Sequence, residues 1–184
     1  MEKTNKIALI AGGLGFIIPI VATMFLSDFN TVMFAITMLI SLVLVLSIYT
    51  AIKHWLFTEL NGVYDRKPLF KTGLKVAVLM ALIHSFGMIA NEYVNKEQLF
   101  EMRISAAEAR LTSQAESGDF SEEDIAKERE LFEERKATNS SIPPNLLVFG
   151  ASRVLFVMLF GALYSFVIPI VLRQSPQLKG LKKN

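Results

Sequence analysis

Residues 31–52 read TVMFAITMLISLVLVLSIYTAI, a run of 22 positions without a charge. A helix needs about 20 apolar residues to cross a hydrocarbon layer of ~30 Å. It also pairs its own backbone N–H and C=O groups, which no water reaches inside a bilayer. The run therefore predicts a transmembrane helix, and it sets the scale for reading the rest of the chain.

Three further blocks have the same character. Residues 7–27 are uncharged. The block 75–94 is interrupted by His84 and ends near Glu92, and 145–172 carries one charge, Arg153. The 184 residues are 52% hydrophobic and 20% charged, but the apolar excess lies in these blocks and most of the charge between them. This pattern excludes an ordinary soluble globule, a disordered chain and a disulfide-stapled secreted domain. The absence of Cys excludes Cys-ligated zinc, iron–sulfur clusters and thiol chemistry. The first block follows Lys3 and Lys6, as a signal peptide would, but its apolar run exceeds a signal core. No small-x-small cleavage signature follows it, so it reads as an uncleaved span.

The expected fold is an all-α membrane protein of one domain, 1–184, with four transmembrane helices. Lys and Arg in short flanking segments set the orientation. Lys3 and Lys6 precede the first span, and Lys53, Arg66, Lys67, Lys71 and Lys75 lie between or at the edges of the second and third. Arg173, Lys179, Lys182 and Lys183 follow the fourth, whereas Asp28-Phe29-Asn30 holds no basic residue. Alternating spans bring the three basic regions to one side. The expectation is that both termini are cytoplasmic, in a bacterial inner membrane. Trp55, Phe57, Tyr64 and Phe70 suit that interface. Basic residues that flank spans argue against a nucleic-acid partner.

The segment between the last two spans, 95–144, reads as an extracytoplasmic helical hairpin. Residues 95–140 hold seven Lys/Arg and twelve Asp/Glu. Phe100, Ile104, Ala107 and Leu111 recur at helical spacing over 96–116. Ser117-Gly118-Asp119 stops that helix. Ser121 caps the next, with Asp124 three residues on and Phe120 placed to staple Ile125. The Phe100–Leu111 stripe has two readings, a docking face for a partner helix and the internal seam of the hairpin. Glu122, Glu123 and Asp124 read as first-turn acids that favour the helix dipole, because the spaced ligands and bend Gly of a calcium loop are missing. No metal and no cofactor is expected.

Ionisable groups inside spans are functional candidates by default. Here they are His84, Glu92 and Arg153. Arg153 has two readings, a pair with Glu92 and an arginine snorkelling to the interface. His84 reads as a proton relay or ligand on one view, and as a hydrogen-bond donor to a neighbouring helix on the other. Ala11 with Gly15, and Gly161 with Ser165, form small-xxx-small pairs suited to close helix packing. Pro19 and Pro169 mark kinks.

The link Asn61-Gly62-Val63-Tyr64-Asp65-Arg66-Lys67-Pro68-Leu69-Phe70-Lys71-Thr72-Gly73-Leu74 leads into an aromatic-x-x-Gly-Leu start of the third span. With the Lys-flanked, Gly-rich first span, the Glu-rich loop and the Lys-Lys tail, it is similar to a family of small bacterial membrane proteins, domain of unknown function 4199. The resemblance covers nearly the whole chain. It implies the four-span topology and no activity, cofactor or catalytic residue.

The spans hold no paired Asp, no His-x-x-x-His and no Ser/Lys arrangement, so no enzyme is expected. The expected function is a non-catalytic subunit or accessory factor of a membrane complex. It would meet the lipid bilayer and a membrane-protein partner or a second copy of itself. The alternative is a homo-oligomeric transporter or channel component with a polar outer-half path around His84, Glu92 and Arg153.

Overall fold

A computed structural model describes residues 2–117, 121–137 and 146–173. They form six α-helices and, among the described residues, no strand. These are α1 (Glu2–Phe25), α2 (Phe29–Thr58), α3 (Arg66–Val94), α4 (Lys96–Ser117), α5 (Glu122–Ala137) and α6 (Leu146–Arg173). Helices α1, α2, α3 and α6 are long and apolar enough to cross a membrane. Three of them outrun the uncharged blocks that announced them: α1 starts at Glu2, α2 runs on to Thr58 and α3 starts at Arg66. Charge limits how far a helix sits in hydrocarbon, not how far it continues into headgroups and water. The 29 residues of α3 extend ~43 Å at 1.5 Å each.

Local chemistry sets the helix ends. Asp28 caps α2 by accepting the Thr31 N–H at 2.7 Å, and Asp65 caps α3 by accepting the Lys67 N–H at 3.0 Å. After α2 the Gly62 N–H returns to the Leu56 carbonyl at 2.9 Å. That closure needs left-handed backbone at Asn61 (φ 48°) and Gly62 (φ 79°), which Asn and Gly adopt most readily. Within α2, the Thr37 and Thr50 hydroxyls donate to the carbonyls of Met33 and Leu46, so polar atoms on an exposed face are satisfied within their own helix.

α3 is the centre of the bundle and the most buried of the four long helices. It packs chiefly against α1 and α6, while α2 touches α1, α3 and α6. The seams are made by small residues. A Cβ on Gly87 would lie 2.5 Å from the Phe16 Cα, and one on Gly73 2.6 Å from the Ser165 hydroxyl. Gly161 sits against Ala77 just as closely. The interior includes Ile40, Leu44, Ile48, Met80 and Met88. The outward surface is equally apolar, with Ile10, Ile17, Phe34, Leu46, Phe86 and Leu159 exposed. A water-soluble protein does not expose apolar side chains on this scale; a bilayer solvates them.

The hairpin sits at the end of the bundle opposite Glu2 and Arg173. α3 ends at Val94 and α4 begins two residues later, after Asn95. The chain bends there, so Leu99 and Met102 are buried and Met102 joins the bundle core. Ser121 caps α5 by accepting the Asp124 N–H at 3.2 Å, and its hydroxyl donates to the Asp124 carboxylate at 2.6 Å. Phe120, the expected staple, lies outside the described residues.

Candidate functional site

Several buried polar groups of the bundle gather along the second half of α3, and they face neighbouring helices. His84 is the first. Pro19 in α1 has no N–H, so the carbonyl four residues before it, Gly15, loses its intrahelical donor. His84 supplies one: its Nδ1 lies 2.8 Å from the Gly15 oxygen. A carbonyl can only accept, so the proton sits on Nδ1. The next residue turns to the other neighbour: the Ser85 hydroxyl donates to the Gly150 carbonyl in α6 at 3.1 Å.

Two further asparagines tie α3 to α1. The Asn91 amide donates to the Thr23 hydroxyl at 3.0 Å, and Thr23 in turn donates to the Pro19 carbonyl at 2.9 Å. Asn95 donates to the Ile20 carbonyl at 3.2 Å and to the Asn91 side-chain oxygen at 2.7 Å. Asn91 is 1% exposed, deep enough that an unmatched amide would be costly.

Glu92 lies beside them, also 1% exposed. Its Oε1 accepts from the Arg103 guanidinium of α4 at 2.5 Å, and that guanidinium also stands over the Phe29 ring. Glu92 Oε2 makes no hydrogen bond. Of the two readings of Arg153, the ion pair with Glu92 is not formed. Two features of the fold explain this. The bend at Asn95 swings Arg103 back onto Glu92. Meanwhile the α3–α6 register, set by Ser85 against Gly150, puts Arg153 near the level of His84. Arg153 instead runs back over the Phe149 ring, 5.2 Å from its centroid, one turn nearer the hairpin end, as a snorkelling arginine does.

Of the four small residues singled out for packing, Gly15 faces His84, Gly161 faces Ala77 and Ser165 faces Gly73, while Ala11 is buried. The sequence reading missed two glycines of α3, Gly73, which faces Ser165, and Gly87, which faces Phe16. An aromatic-x-x-Gly signature marked Gly73 without saying what it met. It also missed Arg103, because nothing in 95–97 announces the bend. The hairpin stripe divides. Ala107 and Leu111 line a hollow with Arg110, Glu128, Leu131 and Phe132 between α4 and α5, whereas Phe100 and Ile104 are half-buried. The Arg110–Glu128 and Lys136–Glu108 pairs, at 3.5 and 3.4 Å, bridge the same two helices. Among the described residues, no three His, Asp or Glu side chains gather as a metal would require.

The helices and their seam define a small multi-pass membrane protein whose buried polar groups join helix to helix. The chain belongs to the family described as proteins of unknown function, DUF4199, whose model matches residues 6–174. No curated protein and no solved structure matches it.

Proposed function

We propose that this is a non-catalytic subunit or accessory factor of a membrane complex, presenting the α4–α5 hairpin to a partner. One observation supports the reading above others. Four buried polar side chains in the second half of α3 are committed to neighbouring helices: His84 to Gly15, Ser85 to Gly150, Asn91 to Thr23 and Glu92 to Arg103. Groups held in this way build a scaffold. At the opposite end from the basic residues, the hairpin beyond its docked first turns offers a charged surface. In this reading the basic end, with both termini, is cytoplasmic, and the hairpin projects to the far side of a bacterial inner membrane.

The test is isolation in mild detergent after crosslinking in cells, with the complex mass measured. The comparison chain has residues 112–134 replaced by a short Gly-Ser linker, which keeps Leu99, Met102 and Arg103 in place. A stoichiometric partner should be recovered with the full chain and lost with the shortened one. Equal recovery from both would refute the hairpin as the docking element. Reporter fusions at Gly118 and Asn184 test orientation: a periplasm-active reporter should work at Gly118 only.

A homo-oligomeric transporter is the second reading, favoured by the unpartnered Oε2 of buried Glu92. Cation or proton flux into liposomes that Glu92→Gln abolishes would support it. Absence of flux from a folded, reconstituted protein would remove it.

A further inference from the structure

At the basic end, two arginines from distant parts of the sequence interlock with two aromatic rings. The Arg66 guanidinium lies 4.0 Å from the Phe166 ring centroid, and the Arg173 guanidinium 5.5 Å from that of Tyr64. The link before α3 thus contributes Tyr64, the first position of α3 contributes Arg66, and the last turns of α6 contribute Phe166 and Arg173. Both arginines are exposed. Neither meets a carboxylate among the described residues. Each guanidinium stands over a ring, with no carboxylate on it among the described residues; a guanidinium supported in this way can recognise a phosphate with paired hydrogen bonds.

The direction of Arg66 indicates which phosphate. Gly73 faces Ser165 and Ala77 faces Gly161, so the same antiparallel register sets Arg66 level with residue 172. The ring it covers belongs to Phe166, six residues farther into the span, or ~9 Å. Arg66 therefore leans toward the middle of the bundle. Long basic side chains near helix ends ordinarily lean the other way, toward water. Phe166 is 49% exposed on the outer surface of α6, where the surrounding medium is lipid. A guanidinium held against a lipid-facing ring calls for an anion beside it, and the anions that lipid offers near the end of a span are headgroup phosphates.

We infer that Arg66 and Arg173, stacked on Phe166 and Tyr64, form a binding site for the phosphodiester headgroup of an anionic phospholipid at the α3–α6 seam. The site is distinct from diffuse surface charge. Lys67, Lys71 and Lys75 recur every four residues, so they form a stripe on one face of α3. That face continues into the exposed Leu82 and Phe86, away from the face that carries Gly73 and Ala77 toward α6.

The test uses the full chain, purified in detergent and titrated with phosphatidylglycerol while bound lipid is counted by native mass spectrometry. The parallel titrations use phosphatidylcholine and inorganic phosphate. Arg66→Lys/Arg173→Lys keeps both charges and loses the planar fork. Lys67→Gln/Lys71→Gln/Lys75→Gln removes three charges from the other face. Circular dichroism and gel filtration confirm that both variants fold. The expected result is saturable phosphatidylglycerol binding that weakens about tenfold in the double arginine variant, as losing one charge-assisted hydrogen bond would produce, and changes little in the lysine variant. Loss in the lysine variant alone would mean unspecific charge and overturn the site. Equal binding of phosphatidylcholine, competition by inorganic phosphate at matched concentration, or no saturable binding would overturn it as well.

Discussion

Pro19 withholds a backbone N–H from Gly15, and His84 on the neighbouring helix replaces it at 2.8 Å. The imidazole thus completes a helix that proline leaves incomplete, and this assigns a structural role to the most conspicuous titratable group in the spans. Restoring the intrahelical donor should make His84 dispensable. His84→Ala should cost about 1 kcal/mol, a typical value for a hydrogen bond between membrane helices. In a Pro19→Ala background the same substitution should cost distinctly less. Equal costs in a double-mutant cycle, measured by unfolding in mixed micelles, would contradict the pairing.

Glu92 and Arg103 join the end of α3 to the second turn of α4. Removing one partner of a buried ion pair is worse than removing both, because a charge is left without a counterpart. Arg103→Ala should therefore destabilise by about 3 kcal/mol and expose the hairpin to protease. Arg103→Ala combined with Glu92→Gln should recover part of that loss. Limited proteolysis with unfolding midpoints would read both effects.

Glycine placement gives a contrast within the molecule. A Cβ on Gly87 would enter the Phe16 backbone, which cannot step aside, whereas one on Gly13 would meet nothing within 4 Å. Gly87→Ala should destabilise by about 1–3 kcal/mol, as overpacking does. Gly13→Ala should be neutral or mildly stabilising, since Ala is the better helix former. Reversal of that order would mean that α1 and α3 are not this close.

The α1–α2 turn should respond to acid. The Thr31 backbone N–H, hydrogen-bonded to Asp28, holds its carboxyl below the usual aspartate range. A carboxyl depressed in the folded state contributes stability that is present at neutral pH and lost as pH falls through the lowered value. Asp28→Asn keeps a cap acceptor without the titration, so this part of the acid loss should vanish in the variant. Thermal midpoints of both proteins, followed from neutral pH down through the aspartate range, would show it.

The four spans were legible because uncharged length is a direct physical demand of the bilayer, and the run at 31–52 needed no tertiary information. The α5 cap was legible too, since Ser121 and Asp124 act within one turn of backbone. The partners of the buried groups were not. That His84 answers Gly15 depends on Pro19 and on the depth at which two helices cross. That Glu92 meets Arg103 rather than Arg153 depends on a one-residue bend at Asn95 that no composition signal announces. Local rules identify which groups cannot stay unpaired; register decides what they pair with.

The central position of α3 also bears on how the protein is made. Ala77 precedes its partner Gly161 by 84 residues. At about 5–20 residues per second a ribosome needs roughly 4–17 s to cover that interval. Throughout it, the side of α3 meant for α6, with Gly73, Ala77 and Ser85, is unclaimed. The early bonds to α1, from His84, Asn91 and Asn95, are available as soon as α3 inserts. They can hold a three-helix intermediate until the last span arrives. The contacts ranged along α3 therefore also define an order of assembly, with α1 engaged first and α6 closing the bundle.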